Sequence, residues 1–180
     1  PRERGFTKEL LNLFIQEWNN IYPNTNIHTF HAYQENMAPC TACGFCRHKE
    51  GCSISDYQLF DTLYRNADVV VVATPVYGLS FPAPLKAVFD RTQQYYEAYV
   101  SRQIKHLFEK PKKAFLLSVY GSDDKRGVEI MQQQLQLTFS VMNTKLIGTI
   151  SAGNTDRKPL NTKELQNAVK RLLLANISVL

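Results

Sequence analysis

Residues 69–73 read Val-Val-Val-Val-Ala, an unbroken apolar run between Asp68 and the Thr74-Pro75 pair. A β-branched run of this length suits a strand covered on both faces, as in a parallel sheet between two layers of helices. Parallel strands require crossover connections, usually helices, and the flanking sequence supplies them. Phe6, Leu10, Leu11, Phe14 and Trp18 recur at helical spacing and predict a helix over 7–20, with Thr7 placed to cap it. Ile27 to Tyr33 alternates apolar and polar residues and predicts a strand. Asp56 is placed to cap a second helix whose apolar face is Leu59, Phe60 and Leu63.

Beyond the valine run the alternation continues. A third helix is expected over 83–99, opening near Pro84, and Ala114 to Val119 reads as a second buried strand. A helix over Val128 to Val141, a strand from Lys145 to Ile150, and a last helix capped by Asn161 or Thr162 complete the pattern. Alternating units of this kind predict a doubly wound parallel α/β sheet with right-handed crossovers. The pattern opens on a helix, whereas such sheets usually open on a strand near their centre. We therefore expect a first strand before Pro1.

A chain of 180 residues with 44% hydrophobic content can bury one core, so a single domain over 1–180 is expected. No apolar run approaches the ~20 residues of a membrane span. Pro1-Arg2-Glu3-Arg4 carries no apolar stretch, and a cytoplasmic protein is expected. The net charge of +5 favours anionic ligands, but the cations are scattered rather than clustered, which argues against a nucleic-acid face.

In open α/β sheets, ligands bind beyond the carboxyl ends of the strands. Four segments leave that edge: 1–7, 34–56, 74–82 and 120–127. The first leads into a helix N-terminus, where backbone N–H groups, Arg2 and Thr7 could meet an anion. In Thr74-Pro75-Val76-Tyr77-Gly78, proline stiffens the turn, Tyr77 offers a flat surface, and Gly78 lets the backbone approach a ligand closely. These features suit a planar aromatic ligand.

Ala73-Thr74-Pro75-Val76-Tyr77 followed by Pro82-Ala83-Pro84-Leu85-Lys86-Ala87-Val88-Phe89-Asp90-Arg91 resembles the signature of flavodoxin-like NAD(P)H-dependent FMN reductases. Pro1-Arg2 is similar to the tail of that family's phosphate loop. The resemblance implies a five-stranded flavodoxin-like sheet in the order 2-1-3-4-5, whose first strand is missing from residues 1–180. It implies FMN bound by Arg2 and Thr7 at the phosphate, by Thr74, Pro75, Val76, Tyr77 and Gly78 along the isoalloxazine, and by Tyr120, Gly121, Ser122 and Asp123 beside it. It also implies NAD(P)H as electron donor, a quinone-like or other small acceptor, and a homodimer or homotetramer. The chemistry would rest with the flavin, so no catalytic side chain is expected.

All four cysteines fall in one segment with C-x2-C-x2-C-x5-C spacing: Cys40, Cys43, Cys46 and Cys52. Short spacers let one loop deliver four thiolates to an iron–sulfur cube. Zinc is a second reading, though its sites usually pair distant knuckles, and reduced metal-free thiols a third. The spacing resembles that of iron–sulfur flavoproteins, in which such a segment holds a [4Fe–4S] cluster beside FMN. The alternative function is accordingly a non-enzymatic electron carrier with that cluster as an extra relay. His28 and His31 are expected on opposite sides of one strand, and His48 and His106 on solvated stretches. Asp90-Arg91 reads as a local ion pair, and Tyr95, Tyr96 and Tyr99 as a patch for a partner subunit.

Overall fold

The computed structural model describes residues 5–105 and 107–177. At its centre lie three parallel strands in the spatial order β1-β2-β3: β1 (Val69–Pro75), β2 (Lys112–Val119) and β3 (Thr144–Ala152). Helix α1 (Phe6–Ile21) precedes the sheet, followed by the short α2 (Phe45–His48) and by α3 (Gln58–Asn66), which continues a single 3₁₀ turn at Ser55–Tyr57. Between β1 and β2 lie α4 (Ala83–Asp90) and α5 (Gln93–Val100), between β2 and β3 lies α6 (Arg126–Ser140), and α7 (Thr162–Asn176) closes the described chain.

Alternation along β2 builds the two cores. Phe115, Leu117 and Val119 join Leu10, Phe14 and Trp18 of α1 and Leu165, Val169 and Leu173 of α7 on one face. Ala114 and Leu116 join Tyr57, Tyr64, Val88, Tyr95 and the α6 residues Met131, Leu135 and Phe139 on the other. Because successive strand residues point to opposite faces, a central strand in a three-layer sandwich must be apolar throughout. The expected α/β architecture is therefore present, and its strands correspond to positions 3-4-5 of the expected order.

Several expectations need correction. Residues 27–33 form no strand: among the described residues the sheet consists of β1, β2 and β3 alone, and 27–33 have no ladder partner in it. The helix expected over 83–99 is two helices, interrupted at Arg91-Thr92, where Thr92 donates both its N–H and its hydroxyl back to the Phe89 carbonyl. Thr7 lies inside the first turn of α1, whose N-cap is Gly5, with no side-chain cap. Asp56 does not cap α3, because its carboxylate is engaged elsewhere. Asn161 does cap α7: its Oδ1 accepts from the Glu164 N–H at 3.3 Å while its amide donates to the Glu164 carboxylate.

Lys112 ties the bottom of the sheet to α3. Its buried ammonium donates to the Arg65 and Ala67 carbonyls at 2.9 and 2.5 Å, satisfying acceptors that the helix end leaves open. Burial holds this amine below its ordinary value. Among the described residues no helix is long and apolar enough to cross a membrane.

Candidate functional site

The loops that leave the carboxyl edge of the sheet pack against one another. After β1 the chain makes a tight reversal in which the Tyr77 and Ser80 N–H groups exchange hydrogen bonds with each other's carbonyls at 2.9 and 3.0 Å. Gly78 and Leu79 at its tip both have positive φ, 54° and 62°, the geometry of a type I′ turn. Glycine adopts it freely; leucine does not. The Val76 N–H donates to the Val119 carbonyl, and the Ser80 hydroxyl donates to Gln134, so the base of the turn is anchored.

A second contact sets this turn on α6. A Cβ at Gly127 would lie 2.4 Å from Val76 Cγ1 and 3.2 Å from Leu79 Cα, so the helix start and the turn touch through a missing side chain. The loop after β2 is laced to the loop after β3 by the Asn154 N–H on the Ser122 carbonyl at 2.6 Å, the Thr155 N–H on Tyr120 and the Asp156 N–H on Gly121. A Cβ at Gly121 would fall 2.0 Å from Asp156 Oδ2, and one at Gly153 would fall 2.5 Å from the Tyr120 ring. Segment 153–158 was thus absent from the expected site. Its signal was Gly153-Asn154 directly after a strand, with Asn154 at φ 61°.

Of the expected flavin residues, Tyr77 is 59% exposed and Gly78 has nothing within 4 Å of the position a Cβ would take, so a flat surface stands beside open space. Among the described residues, the N–H groups of Gly78, Leu79, Gly121, Ser122 and Asp123 make no hydrogen bond within the chain. Thr74 is buried and donates its hydroxyl to the Pro75 carbonyl, which leaves it a wall of the strand end rather than an exposed donor. Ser122 and Asp123 are exposed, while Tyr120 and Gly121 are half-buried. Arg2 lies outside the described residues, as does His106. Free amides and an exposed aromatic ring fit the edge and face of an isoalloxazine by donor chemistry.

Two cavities lie beside other parts of the fold, and neither is lined by residues of 74–82, 120–127 or 153–158. One, of about 410 Å³, runs along α1 beside Gly5, Lys8, Asn12 and Thr162; the other, of about 100 Å³, lies among Glu50, Arg65, Tyr95 and Arg102. The candidate flavin surface is bounded by the exposed Tyr77, Ser122 and Asp123.

The thiol loop, 38–56, is organised by side chains. Arg91, whose side chain is fully buried, donates to the Ala38 carbonyl at 2.9 Å, the Asp56 carboxylate at 2.7 Å and the Ile54 carbonyl at 2.7 Å, while the Ala38 N–H donates to the other Asp56 oxygen at 2.8 Å. Burial works against the Asp56 carboxylate, but the Ala38 N–H and the Arg91 guanidinium outweigh it and hold the group below its ordinary value. Asp90 pairs instead with Lys86 one turn back, so the expected Asp90–Arg91 pair is not formed. At the crown of the loop Arg47 donates to Glu97 of α5 at 3.2 Å. The Ser101 hydroxyl, then Gln93 and Arg47, hold Glu97 below its ordinary value.

The thiols differ from one another. Cys40 and Cys43 are exposed, whereas Cys46 and Cys52 are half-buried, and all four are free. Cys43 Sγ lies 3.2 Å from Ser53 Oγ, and that contact with the Phe45 N–H draws the thiol below its ordinary range. Burial, with Glu97 nearby, pushes Cys46 up. By donor chemistry the set suits an iron–sulfur cluster, yet among the described residues no three His, Cys, Asp or Glu side chains converge as a ligand set. Cys46 lies near enough to Cys52 and Cys40 for their charges to raise it further, so three of the four thiols share one neighbourhood. His28, His31 and His48 are exposed and belong to no such group. Tyr95, expected in a surface patch, is buried and donates to Asp61, whereas Tyr96 and Tyr99 are exposed.

A family model for the flavodoxin-like fold matches residues 1–174. An iron–sulfur flavoprotein of Methanosarcina thermophila is 43% identical over 91 residues, which span 49% of this chain and 43% of that protein. An FMN-dependent NADH:quinone oxidoreductase of Clostridium perfringens is 26% identical over 162 residues, 84% of this chain and 79% of that protein. Among solved structures, an NAD(P)H:quinone oxidoreductase from Methanothermobacter marburgensis superposes with a TM-score of 0.70 at 17% identity, over 100% of this chain and 94% of that one. The chain spans about half the length of the iron–sulfur flavoproteins it matches.

Proposed function

The chain belongs to the family with the flavodoxin-like fold, and on that premise we propose that it is an FMN-dependent oxidoreductase, passing electrons from NADH or NADPH to a quinone-like or other small acceptor. The observation that carries this reading is an exposed Tyr77 ring together with the unpaired N–H groups of Gly78, Gly121, Ser122 and Asp123, on loops that leave the sheet edge where such folds bind ligands. The names of the flavin-dependent quinone oxidoreductases to which the chain is similar support it. Cytoplasmic location and a homodimer or homotetramer, with the exposed Tyr96 and Tyr99 at the contact, belong to the same proposal.

FMN, when bound, supplies a carrier that accepts hydride from a nicotinamide and hands electrons on. The protein's part is placement. Tyr77 would pack on the flat face of the ring, and the free amides of Gly78 and 121–123 would meet the polar edge. Thr74 and Pro75 form the floor, and Arg2 and Thr7 are assigned to the phosphate.

A second reading is favoured by one observation, the C-x2-C-x2-C-x5-C spacing of the four thiols in a chain similar to proteins named iron–sulfur flavoproteins: here the chain is an electron carrier with a [4Fe–4S] cluster beside FMN. Cys40, Cys43, Cys46 and Cys52 would hold the cluster, and no step of the proposed reaction is routed through it.

The test is titration of anaerobically purified full-length protein with FMN, followed by NAD(P)H oxidation with a quinone and by iron and sulfide assays. Quenching of flavin fluorescence and turnover above the free-FMN background are expected. Binding without turnover, with about four irons per chain, favours the carrier. No FMN binding overturns both readings.

A further inference from the structure

We infer that Arg91 is the positioning residue of the thiol loop, closing it at its neck and fixing it to the flavin-side helix without a metal. Small cysteine-rich loops ordinarily take their order from the ion they bind. Here the two ends of the loop, Ala38 and Ile54 to Asp56, are drawn together by one guanidinium that donates to both and by the Asp56 carboxylate that accepts from both sides. Tyr57 presents its ring to the guanidinium at 5.2 Å, closing the remaining side.

The position of Arg91 gives the clasp its consequence. It directly follows α4, the helix that begins where the candidate flavin loop ends. The thiol loop is thus tied through one side chain to the element that carries the flavin surface, and the spacing between the two is set by the fold.

Stability alone would not select this residue. A buried ion pair is often replaced by apolar residues of similar volume at no loss. Arg91 Nε, moreover, is buried and has no partner among the described residues. What arginine provides over an apolar side chain is a three-point geometric specification of where the loop begins and ends. The inference concerns the loop and requires neither FMN nor a cluster, so failure of either leaves it standing.

The test uses full-length, reduced, chelator-treated protein. Amide exchange read by mass spectrometry should show the Ala38 N–H and the 44–49 turn protected with no metal present. Trypsin sites after Arg47 and Lys49 should be cut slowly in the wild type and at least roughly tenfold faster in Arg91→Met, since cleavage of a locally opened segment follows its opening equilibrium. Arg91→Lys, which keeps the charge but cannot bridge both ends, should fall between the two. Cleavage confined to the loop, with the remainder of the chain intact, separates opening from global unfolding. Unprotected loop amides in the metal-free wild type, or equal cleavage rates in wild type and Arg91→Met, would overturn the inference. Where Arg91→Met fails to fold, Arg91→Lys decides: loop cleavage faster than in the wild type supports the inference and an unchanged rate overturns it.

Discussion

The turn after β1 and the thiol loop are both candidate functional segments, but they are held by different means. The turn is shaped by its own main chain: two reciprocal N–H to carbonyl bonds, positive φ at Gly78 and Leu79, and a glycine contact with α6. The thiol loop is shaped by side chains reaching it from distant elements, with Arg91 bridging 35 residues to Asp56 and Glu97 bridging 50 to Arg47. Main-chain devices act over a few residues and tolerate little change at one position. A side-chain clasp spans the sequence and fails when one partner is removed.

The contrast is broken most strongly at Gly127. Helix propensity favours alanine there by ~1 kcal/mol. Its Cβ would nonetheless sit 2.4 Å from the branched Val76 side chain and 3.2 Å from the Leu79 backbone. Such overpacking costs roughly 1–3 kcal/mol and displaces the turn. Gly127→Ala should therefore weaken FMN binding about tenfold, each ~1.4 kcal/mol being one decade, with a net loss in unfolding free energy of no more than about 2 kcal/mol. Gly121→Ala is the control: its clash is with the exposed Asp156 carboxylate, which can swing away, so a smaller loss is expected. Fluorescence titrations of both variants check this; equal losses would mean that the turn is not seated through Gly127.

That difference explains what could be read from sequence. The strands at 69–75 and 112–119 and the Asn161 cap were legible because apolar runs and capping residues act locally. So was the turn, since proline and glycine announce it. The strand expected at 27–33 failed because alternation shows a willingness to pair and not the presence of a partner. Arg91 was misassigned to Asp90 for the same reason: adjacency in sequence suggested a partner, whereas the fold turned Arg91 inward to Asp56 and left Asp90 to Lys86. The lacing of 120–123 to 153–158 depends on β2 and β3 ending side by side, which no local pattern encodes.

Leu79 offers a smaller effect of opposite sign. A leucine at φ 62° is strained, and at 41% exposure its side chain gains little burial in return. Leu79→Gly removes ~1–2 kcal/mol of strain and gives back roughly 0.5–1 kcal/mol in chain entropy, so a net gain of up to about 1 kcal/mol is expected in denaturant unfolding. In the thiol loop a comparable gain is available only at Ala42, whose φ is 52°, since Gly44 and Gly51 already occupy positive φ. An unchanged or lowered midpoint for Leu79→Gly would place its backbone outside the strained region.

The smallest effect distinguishes the two loops by pH. Asp56 and Glu97, the acidic partners in the thiol-loop contacts, both sit below their ordinary values of 3.8 and 4.5. A carboxylate whose pKa is depressed on folding contributes stability that is fully present above its unfolded value and is lost as pH falls through the folded one. The thiol-loop contacts should therefore hold at neutral pH and weaken only in acid, beginning near the unfolded values and completing below them. The turn after β1, whose bonds involve no titrating group, should keep its protection over the same range. Amide exchange across an acid series, corrected for intrinsic rates, compares the Ala38 N–H with the Tyr77 and Ser80 N–H groups. Loss at Ala38 ahead of the turn would assign the loop's cohesion to its ion pairs; simultaneous loss would mean that both segments open only with the whole domain.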